Sequence, residues 1–219
     1  MTSKRKTKSN DRIALWMLLA VVLLTAAVFF WSSGRYQQAD GNMAATAVDA
    51  QGYLHVLGVT LGKTNLQQAE KILKSKSDVA LYIYPQGHAK AGLKLEAFFP
   101  AIADHTKVVL LLDVDAAALK SIESRATIPH LYPDQVARMN LAVDDVSRAR
   151  DATVSALTLI PNLVISLDTL KARFGEPDRV QKLPTGENQY IYDAIGLKAV
   201  LHDDEPPVLH FAMPVPRPE

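Results

Sequence analysis

The hydrophobic and polar residues change rhythm along the chain. Residues Ile13 to Trp31, IALWMLLAVVLLTAAVFFW, form an uncharged run of 19. As a helix rising 1.5 Å per residue this run spans ~28 Å, close to the ~30 Å hydrocarbon core of a bilayer. Residues 32–50 are small and polar without a period, and read as a linker. From Tyr53 onward short apolar runs return. LHVLGVTLG reads as a strand ending in a turn at Gly62. Thr64 is placed to cap a helix whose stripe is Leu66, Ala69, Ile72 and Leu73. Strands follow at Asp78–Pro85, at LKLEAFFP and at TKVVLLLDV, then a helix capped by Asp115. Residues 127–150 hold Pro129, Pro133 and a charged stretch, and are open to an exposed helix or a long loop. TVSALTLIP predicts a strand ended by Pro161. Ser166 then caps LDTLKARF, which Gly175 and Pro177 stop. RVQKLP, QYIYDA, GLKAVLHD and VLHFAMP complete the strand pattern, and residues 214–219 form a proline-rich tail.

The two halves resemble each other in element order. Tyr82-Ile83-Tyr84 followed by Gly92-Leu93-Lys94 matches Tyr190-Ile191-Tyr192 followed by Gly196-Leu197-Lys198, and Leu73 aligns with Phe174. One helix on three short strands gives ~60 residues, a marginal core, and duplication enlarges it. The expected architecture is therefore α+β: an N-terminal transmembrane helix, then a tandem repeat of helix plus antiparallel β-strands. Its parts are a basic tail (1–12), the transmembrane helix (13–31), a linker (32–50), repeat 1 (51–126), a connector (127–150), repeat 2 (151–213) and a tail (214–219).

Charge orients this arrangement. The chain carries a net +1, but residues 1–12 hold five Lys and Arg against Asp11, a net of +4. The positive-inside rule keeps that tail in the cytoplasm and exports the rest. A cleaved signal peptide would have a shorter apolar region and a small-residue cleavage site, whereas this run ends Phe-Phe-Trp. The expected location is a bacterial inner membrane, crossed once through residues 13–31, with the C-terminal part in the periplasm. The chain contains no cysteine, which excludes disulfides, thiolate metal sites and a lipidated cysteine. The exported part has no basic stripe for nucleic acid. Gly58 and the Gly62-Lys63-Thr64 fragment are spaced one residue too closely for a phosphate-binding P-loop, so no nucleotide is expected.

Candidate chemistry is sparse. The six histidines form no zinc-binding pair. Asp104-His105 before TKVVLLLDV, with Asp113 and Asp115 after it, would make an acid–base or metal site only if the strand ends cluster. Turn and cap roles explain the same residues. His202-Asp203-Asp204-Glu205 reads as a solvated acidic turn without the glycine of a calcium loop. No cofactor and no metal are expected. Tyr82 and Tyr84 share one side of their strand, as do Tyr190 and Tyr192, because strand side chains alternate. Tyrosine suits interfaces, offering large area with a polar tip. Phe98 and Phe99 must point to opposite faces.

LDTLKARFGEPDRV followed by YIYD resembles the motif of the BamE/SmpA-like lipoproteins, a short helix, Gly-x-Pro and an aromatic strand. The matching positions are Phe174, Gly175, Pro177, Val180 and Tyr192, within residues 157–201. The resemblance implies the fold of beta-lactamase-inhibitor-like tandem repeats and a protein-binding role in the bacterial envelope. The first half lacks the Gly-x-Pro, and an apolar span replaces the lipidated cysteine. The expected function is a membrane-anchored periplasmic protein-binding module, an accessory or scaffold in envelope biogenesis. It binds an envelope protein through Tyr82, Tyr84, Tyr190 and Tyr192. The alternatives are an envelope enzyme using Asp and His at strand ends, and an assembly factor acting through its membrane helix.

Overall fold

The computed structural model describes residues 46–88, 90–102 and 105–214. A short three-stranded sheet comes first, with β1 (Ala47–Val48), β2 (Leu54–Val56) and β3 (Val59–Thr60) in chain order. The expected strand LHVLGVTLG is thus a hairpin, turned at Leu57-Gly58. The helix α1 (Leu66–Ile72) follows, capped by Asn65 rather than Thr64. Asn65 and Gln68 bond each other's backbone N–H groups in a reciprocal box. Thr64 instead accepts a hydrogen bond from the Thr60 N–H through its hydroxyl.

The remaining strands form one ten-stranded antiparallel sheet. Its members are β4 (Asp78–Tyr84), β5 (Gly92–Phe99), β6 (Lys107–Asp113), β7 (His130–Leu131), β8 (Ala137–Asn140), β9 (Thr153–Ile160), β10 (Arg179–Lys182), β11 (Asn188–Tyr192), β12 (Leu197–Val200) and β13 (Val208–Ala212). The spatial order is β10-β11-β12-β13-β9-β6-β5-β4-β8-β7. Three further helices are α2 (Ala116–Arg125), α3 (Val143–Ala149) and α4 (Leu167–Phe174). Asp115 and Ser166 cap α2 and α4 by accepting from the N–H groups of Ala118 and Thr169.

This corrects the expected α+β tandem repeat. The described residues form a mostly-sheet domain with four helices, and ten of its strands run on as one sheet instead of closing into two units. Two features make the difference. Strand β9 pairs with β6 on one edge and β13 on the other, fusing the halves. The expected connector 127–150 supplies β7 and β8, which extend the sheet beyond β4, and α3. No helix among the described residues is long and apolar enough to cross a membrane, and the expected transmembrane helix at 13–31 lies outside them.

The sheet packs on one face. Strand β6 shows why, since Val108, Leu110 and Leu112 are buried while Val109 and Leu111 between them are only half-buried. The register carries the buried set across the strands, aligning Leu110 with Leu157 and Leu157 with Phe211. These residues join Leu81, Leu95, Leu197 and the apolar sides of the helices in one core. Helix α4 enters it through Leu170 and Phe174, and α1 through Leu66, Ala69 and Leu73. A buried ion pair ties the two middle helices. Asp145 on α3, almost wholly buried, accepts two bonds from the Arg125 guanidinium on α2, at 2.9 and 2.7 Å. Arg125 holds the Asp145 carboxyl below the usual carboxylate range, against the opposing effect of burial. At Gly196, where a 3₁₀ turn enters β12, φ is +56° and a β-carbon would collide with the Ala212 carbonyl oxygen.

One strand pair tests which face is packed. Leu157→Ala should cost about 2–5 kcal/mol, the usual loss for a wholly buried leucine. Leu111→Ala, on the other face, should cost clearly less. Urea unfolding of the full chain reads both, and equal losses contradict the two-faced sheet.

Candidate functional site

The face away from the helices follows from the same registers. Phe98 on β5 lies opposite Val109 on β6, Val109 opposite Thr158 on β9, and Thr158 opposite His210 on β13. The next row runs through Glu96, Leu111 and Ala156. Tyr82 on β4 lies opposite Lys94 on one side and Arg138 on the other. Phe98, Val109 and Leu111 are half-buried and stand outside the core that the helices cover. Phe99, pointing the other way, is fully buried.

A polar knot sits within this face. Glu96 is 4% exposed. The Tyr84 hydroxyl donates to its carboxylate, with 3.0 and 3.1 Å to the two oxygens, and Lys90 donates to Oε1 at 2.9 Å. Lys90 comes from the β4–β5 turn, which folds back over the sheet. From the same turn, His88 stacks on Tyr84 with ring centres 4.6 Å apart. Tyr82 also stacks on Tyr84, with ring centres 6.1 Å apart. Burial first, and the Glu96 charge second, push the Tyr84 phenol well above the ordinary tyrosine range. Tyr84 therefore stays a donor at any physiological pH. Beyond Leu111 and Val109, Thr158 Oγ1 lies 2.9 Å from His210 Nδ1. Burial, helped by Lys90 and Lys198, lowers His210 to about 4, so its ring is neutral near pH 7.

The four tyrosines do not make one surface. Tyr82 and Tyr84 lie on the open face. Tyr190 and Tyr192 lie opposite Ala199 and Leu197, on the helix side. The Tyr192 ring is 5.9 Å from Phe174 of α4, and Tyr192 is 3% exposed. Its hydroxyl has no hydrogen-bond partner among the described residues. The alignment of Tyr82 with Tyr190 thus joins residues on opposite faces. Among the positions carrying the motif resemblance, Phe174 packs on Tyr192 and Phe211, Gly175 holds φ +83° after α4, and Val180 is exposed on the edge strand β10.

The Asp and His residues stay apart. His105 lies in the turn before β6, while Asp113 ends that strand and Asp115 caps α2; Asp104 lies outside the described residues. The 202–205 turn is one wall of a cleft of about 1010 Å³ beside the start of α4, opposite Val164 and the Gly186–Asn188 turn. His202 Nδ1 is 2.7 Å from Glu187 Oε1 there, while Asp203, Asp204 and Glu205 are exposed. Among the described residues no group of three His, Asp or Glu side chains is placed to hold a metal ion.

Sequence reasoning missed Glu96, Lys90 and His210. In LKLEAFFP, Leu93, Leu95 and Ala97 alternate with Lys94 and Glu96, which puts Glu96 on the side of β5 away from that apolar set. Nothing in the pattern revealed that the following turn would bury it. No family model, curated protein or solved structure matches the chain.

The polar knot and the buried phenol separate under the same substitution. Tyr84→Phe removes a donor from a buried carboxylate and should cost about 1–3 kcal/mol. Tyr192→Phe removes an unpaired hydroxyl and should cost nothing. Equal losses in denaturant unfolding contradict these assignments.

Proposed function

We propose that this protein is a membrane-anchored protein-binding module of the bacterial envelope, an accessory or scaffold in envelope biogenesis. Residues 13–31 hold it in the inner membrane, and the described domain stands on the periplasmic side. Its partner is another envelope protein, which docks on the sheet face that carries Tyr82, Tyr84 and Phe98. The observation behind this reading is that face: half-exposed aromatic and aliphatic side chains with no helix of the described domain packed over them. A sheet ordinarily covers an apolar face with a second layer. An uncovered one, with ordered tyrosines, has the composition of an interface centre. Glu96 adds rigidity, since Tyr84 and Lys90 are fixed by it before any partner arrives. Tyr190 and Tyr192 support the fold beneath α4 and take no part in docking. The resemblance of residues 157–201 to BamE/SmpA-like modules points to the same class of role.

Site-specific photocrosslinking in the native host tests this. A photoreactive residue at Phe98 or Leu111 of the full chain should give a discrete adduct with one partner protein. The same residue at Val143, 81% exposed at the start of α3, should not. Tyr82→Ala with Tyr84→Ala should weaken the adduct several-fold. Adducts from Val143 and none from Phe98 contradict the docking face.

A further inference from the structure

The end of α1 and the tip of the β2–β3 hairpin share a surface with an unusual backbone. Leu57, Lys74 and His105 hold left-handed φ values of 54°, 51° and 61°, although none is glycine. Leu57 and Gly58 form the two-residue turn of the β2–β3 hairpin, which takes positive φ at both positions, and Lys74 is the left-handed residue that ends α1, with the Ser75 N–H bonded to the Glu70 carbonyl. Leu57 and Lys74 border one shallow dent together with Ile72 and Ile102. His105 belongs to the turn that Ile102 begins, its N–H bonded to the Ile102 carbonyl. Ile72 is 40% exposed there, on a helix whose next residue, Leu73, is buried.

Basic residues adjoin this apolar dent. Lys74 and Ser75 also border a second hollow, ringed by Lys71, Lys76 and Arg150. Its single carboxylate, Glu70, is buried and already accepts bonds from the Lys76 ammonium and from the Ser77 N–H and hydroxyl. Lys71 and Lys74 make no ion pair among the described residues and are exposed.

The chain enters the domain at the same place. Ala47 lies opposite His55 in the β1–β2 ladder, so the register sets Thr46 beside Val56, next to Leu57. Only residues 32–45 separate this point from the apolar run ending at Trp31. Fully extended, they reach ~50 Å at most. A domain anchored through residues 13–31 would therefore stay within that reach of the bilayer.

We propose that this corner is a docking surface for an anionic lipid bilayer. Ile72 and Leu57 enter the interface, while Lys71 and Lys74, with Lys76 and Arg150 behind them, meet the lipid phosphates. The proposal rests on the reading of residues 13–31 as the membrane segment. An exposed isoleucine with the half-buried Leu57 beside it, next to lysines that make no ion pair among the described residues, has the composition of an interfacial surface. Their long stems let lysines cover apolar area while the charge reaches the headgroups. Docking here would fix the orientation of the tethered domain.

The absence of cysteine makes the test direct. The full chain is reconstituted in phosphatidylcholine nanodiscs, with or without phosphatidylglycerol, carrying one nitroxide at Ile72→Cys. A second sample carries it at Val180→Cys on edge strand β10. With phosphatidylglycerol, the label at 72 should become several-fold more accessible to dissolved oxygen and less accessible to a water-soluble nickel chelate. The label at 180 should not change. Lys71→Glu with Lys74→Glu should abolish the effect while the thermal midpoint holds. A label at 72 that stays water-exposed in both discs overturns the docking surface, as does an effect that survives the charge reversal. Flotation in high salt separates the two readings. A chain that leaves the discs overturns the anchor and the docking with it, whereas a retained chain with a wet label overturns the docking alone.

Discussion

Strand β9 is hydrogen-bonded along both edges, to β6 and to β13, and the rest of the domain is arranged around that double pairing. A strand with two partners in register has no freedom over which side chains it buries. Shifting it by one residue would turn Val154, Leu157 and Leu159 outward. All three are essentially inaccessible to solvent. The register passes through β9 into both halves, so one packed face runs across the sheet. The bulge between Leu111 and Leu112 is the one irregularity in the β6–β9 ladder, and it admits Ser155 as an extra residue.

The uncovered face is a consequence of this continuity. Helices α1 and α4 and the ion-paired α2 and α3 contribute to the same core. On the other side, Tyr82, Tyr84 and Phe98 retain partial exposure, and among the described residues the β4–β5 turn reaches over Tyr84 through His88 and Lys90. That turn neutralises Glu96, so the exposed surface is aromatic and aliphatic at its centre with ordered polar groups inside it. The face is therefore rigid and amphipathic, which is the physical basis of the binding role proposed for it.

Much of the secondary structure was legible because it is locally encoded. Asp115, Ser166 and Gly175 mark helix ends by capping chemistry that acts within a few residues. What joins the strands was not legible, because pairing between β6 and β9 depends on residues forty or more positions apart. In the stretch 127–150, left open to an exposed helix or a long loop, α3 fits the helix option, while β7 and β8 were hidden by the two prolines. The tyrosine pairs show the limit most clearly. Alternation places each pair on one side of its strand but leaves the side open. In β4, Leu81 and Ile83 compete for the core and win it from Tyr82 and Tyr84. In β11 the opposite side carries Gln189 and the buried Ile191, and Tyr190 and Tyr192 turn inward toward Phe174 of α4.

The central claim is that one face of the sheet is packed and the other is open. Hydroxyl-radical footprinting of the purified full chain in detergent reads that difference at neighbouring residues. Phe98 and Tyr82 should be oxidised several-fold faster, relative to their intrinsic reactivity, than Phe99 and Tyr192, with the contrast lost on unfolding. If Phe98 is protected as strongly as Phe99 in the folded chain, the open face does not exist and the binding surface built on it falls.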